Sequence, residues 1–170
     1  HTDELRIRDV RLDDNGVASV TAEGCGTPQL GFCSVLLGVD CRTQHVSCCY
    51  SLDEHVAGSL FDAHRERVVT WAPAPSNAAV QGGGLALHIF RLSDDGSPNS
   101  ALLHRFLAKQ VPGDKLQRIT WTEDRLLLWV GDAGEPWTLS SFDLRTANGA
   151  DVDVTADNLR QYVEGVADQV

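Results

Sequence analysis

The residues with the most chemical reach are five cysteines, Cys25, Cys33, Cys41, Cys48 and Cys49, after which the chain carries none. Cys41-x3-His45-x2-Cys48-Cys49 gathers three thiols and an imidazole, the donor set of a tetrahedral Cys3His zinc site. Paired Cys-x2-Cys knuckles are missing, however. In an extended strand the adjacent Cys48 and Cys49 point to opposite faces, which works against shared ligation. Disulfides among Cys25, Cys33, Cys41, Cys48 and Cys49 are a second reading, and small buried hydrophobes a third. An odd count in a secreted protein leaves one thiol free or intermolecular. The cysteines therefore leave the compartment open.

The chain begins at His1, which reads as a processed or trimmed start. An N-terminal histidine chelates copper through its amine and imidazole in lytic polysaccharide monooxygenases, with a second histidine completing the site. His45, His55, His64, His88 and His104 are available, but Thr2-Asp3-Glu4-Leu5 is unlike those enzymes. A metal-dependent enzyme would have to rest on the Cys/His stretch or on His1. No Gly-x-Ser-x-Gly elbow and no phosphate-cradling loop is present. Asp62-x-His64 lies beside Arg65, Glu66 and Arg67 and reads as a solvated charged face. Asp13-Asp14, Asp94-Asp95 and Asp151/Asp153 sit at turns, where Asp bonds its own backbone. The sequence thus implies no catalytic residue and no cofactor.

Binding is better served. Trp121, Trp129 and Trp137 fall on consecutive expected strands. Trp129 divides between core packing and binding, whereas Trp137 follows Gly134-Glu135-Pro136 at a loop edge, where an exposed aromatic can anchor a partner. Lys and Arg number 14 against 24 Asp and Glu, a net charge of −10. That balance argues against nucleic acid and anionic membrane as partners and suits a basic protein. No apolar run reaches the roughly 18 residues needed to cross a bilayer.

The elements that must position these residues read as strands. Leu5, Ile7, Val10 and Leu12 alternate imperfectly, and Asp14-Asn15-Gly16 turns the chain into 17–21; Asn-Gly suits a type I′ turn with two positive φ angles. Further strands are expected at 32–39, 45–50, 67–71, 85–92, 116–122, 126–130 and 137–144. Thr155 caps an expected C-terminal helix over 155–169. Ser51-Leu52-Asp53-Glu54 has the form of a capping box and Ser97-Pro98 that of a helix start, so an α+β alternative places helices near 52–66 and 98–110. With 42% hydrophobic residues, the 170-residue chain is expected to form a single domain, 1–170.

A repeat of about 50 residues emerges on aligning the chain with itself. Arg67-Val68-Val69-Thr70-Trp71 … Leu87-His88-Ile89-Phe90-Arg91-Leu92 parallels Gln117-Arg118-Ile119-Thr120-Trp121 … Leu139-Ser140-Ser141-Phe142-Asp143-Leu144. The copies span 67–96 and 117–149, with a looser one over 5–50. Phe142-Asp143-Leu144-Arg145-Thr146 stands where WD40-like β-propeller repeats carry Trp-Asp, a basic residue and Thr or Ser. Thr120-Trp121-Thr122-Glu123-Asp124 and Leu126-Leu127-Leu128-Trp129 resemble their first two strands. There is no Trp-Asp and no Gly-His here. The resemblance implies antiparallel, propeller-like blades, in an oligomer or larger assembly because three copies do not close a ring. The expected function is a non-catalytic protein-interaction or scaffold module; the alternative is a secreted or viral ligand-binding β-sandwich with disulfides.

Overall fold

A computed structural model describes residues 4–25, 34–52, 54–62, 66–73, 84–92, 102–108, 115–144 and 151–153. The strands are β1 (Glu4–Leu12), β2 (Val17–Cys25), β3 (Ser34–Asp40), β4 (His45–Leu52), β5 (Gly58–Asp62) and β6 (Arg67–Pro73). They continue as β7 (Leu85–Arg91), β8 (Leu102–Ala108), β9 (Leu116–Trp121), β10 (Arg125–Val130), β11 (Thr138–Asp143) and β12 (Asp151–Asp153). The chain is all-β, with no α-helix among the described residues. Three sheets have the orders β1-β2-β3-β4, β11-β10-β9 and β12-β8-β7-β6-β5. Pairing is antiparallel in β1/β2, β2/β3, β3/β4, β5/β6, β9/β10 and β10/β11, and parallel between β12 and β8.

The helices of the α+β alternative are corrected by two strands. Residues 58–62 pair with β6, Gly58 opposite Trp71 and Asp62 opposite Arg67. Residues 102–108 form β8. In the first case a close approach decides: a Cβ at Gly58 would land inside the Trp71 indole, so this stretch fits only as extended chain on that ring. The 155–169 helix and the glycine-rich stretch at 82–83 lie outside the described residues.

Two compact units are distinguished, His1–Ala72 with Ile89–Leu103, and Pro73–His88 with His104–Val170. In the first, β5 packs on β1 and β2. Leu36, Tyr50, Leu52, Val56, Phe61, Val68 and Phe90 form its core, with Leu92 against them. The Tyr50 and Phe61 rings lie 6.2 Å apart, tilted at 33°. Buried hydroxyls on the sheet's inner face supply partners to strand edge and loop. Ser19 Oγ accepts Phe61 N–H at 2.9 Å, Ser34 Oγ accepts Val56 N–H at 3.1 Å, and Thr21 Oγ1 and Ser59 Oγ share a 2.8 Å bond.

Two bulges set the sheet's facing. Between Ile7 and Asp9 the β1–β2 register shifts, with Arg8 as the extra residue. Ile7 opposite Ala22 and Val10 opposite Val20 therefore share a face despite their odd spacing. A second shift at Gly38/Val39 makes Ser47 the extra residue of β4, and Ser47 Oγ donates to Gly38 O at 3.1 Å. This explains the imperfect alternation of Leu5, Ile7, Val10 and Leu12. The 13–16 turn also departs from type I′. Only Gly16 is left-handed, at φ +79°. Asp13 Oδ1 instead accepts the N–H groups of Asn15 and Val17, at 2.9 and 2.8 Å.

In the second unit, β10 is central. Leu126 faces Trp121 and Phe142 across its two ladders, and Leu128 faces Ile119 and Ser140. Leu126, Leu128 and Phe142 are fully buried on one face, and Leu127 and its partner Ser141 are buried on the other, as the continuous Leu run of β10 dictates.

Candidate functional site

The β10–β11 connection is short and braced. Glu135 N–H donates to Asp132 O at 3.1 Å, closing the turn, and Gly134 takes φ +85° with nothing near the place of its missing Cβ. Gly131 N–H donates to Lys115 O at 2.9 Å, and Gln117 Nε2 donates to Gly131 O at 2.7 Å. Lys115 Nζ reaches Asp132 Oδ2 at 3.3 Å. Three contacts thus fix the turn to the start of β9 and the residue before it. Pro136, which lacks an N–H and has a fixed φ, adds stiffness.

Trp137 closes this turn. Its Nε1–H donates to Asp132 O at 3.2 Å, and it remains 47% exposed. Gly131 lets the ring sit close: a Cβ there would lie 3.0 Å from Trp137 Cδ1. Asp132, Ala133, Gly134, Glu135 and Pro136 are all exposed around it. An indole held by its N–H beside the exposed Glu135, with Asp132 shared with Lys115, offers an aromatic surface and negative charge to one ligand. That combination suits Lys or Arg side chains, through the ring face and through charge-assisted hydrogen bonds.

Trp129 is placed differently. It is half-buried on β10 opposite Arg118 and Leu139, with the Arg118 guanidinium 5.0 Å from its ring centre. Its face is thus already occupied by a cation of its own sheet. Trp71 likewise carries Arg11, at 5.3 Å, and is buried. Neither stacked arginine was legible in the sequence, because each pair depends on strands brought together by folding.

The cysteines are dispersed over several settings. Cys41 is exposed in the β3–β4 turn with a free thiol. Cys49 is exposed and free on β4, opposite Leu37, while the Cys48 backbone pairs with Gly38 on the next rung. His45 is exposed at the start of β4 opposite Asp40. Cys25 ends β2 opposite Glu4; Cys33 lies outside the described residues. No group of three or more His, Cys, Asp or Glu among the described residues is arranged to hold a metal ion. His1 and His64 also lie outside them.

Beside Cys41 the Asp40 carboxylate organises the turn. Its Oδ1 accepts Arg42 N–H at 2.9 Å and Thr43 N–H at 3.3 Å. The Thr43 and Arg42 backbone bonds hold its carboxyl below the ordinary range. Gln44 follows at φ 60°, and its N–H donates to Asp40 O at 2.7 Å. This chemistry is structural, an Asx-type turn.

The chain matches no protein-family model and no curated protein.

Proposed function

We propose that the protein is a non-catalytic protein-interaction or scaffold module whose partner presents basic side chains. The observation that carries this reading is Trp137, held by its Nε1–H on a braced turn and still 47% exposed between Asp132 and Glu135. A rigid aromatic anchor loses little conformational freedom on binding, and its acidic neighbours favour lysine or arginine. The meander order β1-β2-β3-β4, and the similar runs β8-β7-β6-β5 and β11-β10-β9, support a scaffold of WD40-like, blade-like sheets. The net charge of −10 agrees with a basic partner and makes its capture salt-dependent.

The test is an array of immobilised lysine- and arginine-rich peptides probed with the whole chain. Binding is expected to weaken about tenfold or more on Trp137→Ala, as for an aromatic anchor, and to fall with added salt. Binding indifferent to Trp137→Ala and Glu135→Gln, or absent throughout the array, overturns the reading.

A further inference from the structure

The four-stranded sheet turns hydroxyls and charges toward β5, and its outer face is apolar; among the described residues, β5 packs on β1 and β2 from the inner side. The ladders place four rungs on the outer face: Leu5–Gly24; Ile7–Ala22–Val35–Ser51; Val10–Val20–Leu37–Cys49; and Leu12–Ala18–Val39–Val46. Leu5, Ile7, Val10, Leu12 and Val46, on the two edge strands, are 52%, 64%, 55%, 67% and 57% exposed, whereas the small central residues Ala18, Ala22 and Val35 lie buried between them. The edge strand reverses the usual pattern of a surface strand. Its charges turn inward, Arg11 bonding Asp9 at 3.1 Å over Trp71, and Arg8 reaches Glu23 of the inner face at 3.7 Å. Its apolar residues meet water. Scattered exposed apolar residues are ordinary, but a whole strand face of them beside a second apolar edge marks an interaction surface.

We infer that this outer face is a self-association surface on which a second copy of the chain packs sheet against sheet. Charge argues for that occupant. None of the residues on those four rungs is ionic, so a basic partner finds no carboxylate there, whereas two chains of net charge −10 can approach only through a face free of charge. Area agrees. Four strands of seven to nine residues, at about 3.3 Å per residue and about 4.8 Å apart, give each face roughly 500 Å². Two such faces bury on the order of 1,000 Å², the lower bound for a specific interface. A single apolar face is self-complementary about a two-fold axis, and two twisted sheets pack face to face at about 30° and about 10 Å.

Sedimentation velocity of the whole chain from about 1 to 100 µM tests this, the range in which so small an interface titrates. A reversible dimer is expected. Val10→Glu on β1 and Val46→Glu on β4 are each expected to weaken it about tenfold or more by burying an unpaired carboxylate. Arg6→Gln, on the inner face, is expected to leave it unchanged. A chain that stays monomeric throughout overturns the inference. So does a dimer indifferent to both glutamates, or one weakened by Val10→Glu alone, which would mean edge-to-edge pairing of β1. If a glutamate variant loses its β-sheet circular dichroism, Val10→Thr and Val46→Thr make the same comparison with near-isosteric side chains. Peptide capture at Trp137 is measured separately, so either reading can fail without the other.

Discussion

Ser19 Oγ accepts the backbone N–H of Phe61 at 2.9 Å, across 42 residues of sequence and in a fully buried setting. β5 is an edge strand with β6 on one side only. Its outward N–H would be a buried orphan without this hydroxyl. Ser19→Ala removes the acceptor and leaves the donor dry, so it is expected to cost about 1–3 kcal/mol in urea unfolding. Faster hydrogen exchange at the Phe61 amide would locate the effect. A loss below about 0.5 kcal/mol, the low end for a net hydrogen bond, would mean that the donor finds another partner.

Gly58 is the contact point of β5 with Trp71. A Cβ at this position would enter the indole, and Trp71 is itself buried under the Arg11 guanidinium. Gly58→Ala is therefore expected to destabilise the chain by about 1–3 kcal/mol through overpacking. Tryptophan emission should shift as that ring is displaced. Unchanged thermal unfolding would show that β5 can slide away.

Gly131 plays a comparable part for Trp137. Its absent Cβ would meet Trp137 Cδ1 at 3.0 Å and Trp137 Cα at 3.3 Å. Gly131→Ala is expected to displace the indole and break its N–H bond to Asp132 O, seen as a shifted indole N–H resonance. Capture of basic peptides should weaken with it, and unfolding should come earlier as well, because Gly131 sits at φ +158° with the backbone of Pro136 and Trp137 close to the added Cβ.

Asp40 gives a pH dependence with a definite sign. Its carboxyl is held below the ordinary value of 3.8 by the Thr43 and Arg42 N–H groups. A depressed folded-state value stabilises the turn at pH above the unfolded value, and this is lost as pH falls through the folded one. Carboxyl carbon shifts should show Asp40 titrating below the ordinary aspartate value of 3.8. Asp40→Asn should abolish that dependence of the 40–44 turn.

Cys41 and Cys49 are exposed and free. Both are expected to react with a thiol reagent in the native, unreduced protein, and peptide mapping should find label at each. Cys49 should react most readily at concentrations where the chain is monomeric, because it lies on the proposed self-association face. A disulfide at either one would return the secreted β-sandwich reading to the front.

Much of the strand pattern was legible from local chemistry. The alternation at 85–92 and the apolar run at 126–130 set β7 and β10 within a residue. The turn at 14–16 places the first hairpin, whose second strand runs on to Cys25, four residues past the expected end. The details that failed were those decided by distant groups. Asp53-Glu54 and the residues after it resemble a helix start, yet Gly58 is consumed by Trp71 and 58–62 become an edge strand. Asn15-Gly16 suits a type I′ turn, yet the Asp13 carboxylate captures two N–H groups and leaves only Gly16 left-handed.

What the sequence determined by itself is the local part: extended chain where β-branched and apolar residues alternate, turns where Asp, Asn and Gly cluster, an acidic surface, and an aromatic beside the Gly134-Glu135-Pro136 turn. Local sterics and hydrogen bonds act over a few residues, so they can be read in order along the chain. The tertiary structure alone decided which face is covered. Leu12 and Leu36 are alike in composition, but Leu36 is fully buried on the inner face and Leu12 is 67% exposed on the outer one. Register and bulge choose between those fates, because a shift of one residue sends every side chain beyond it to the other side of the sheet.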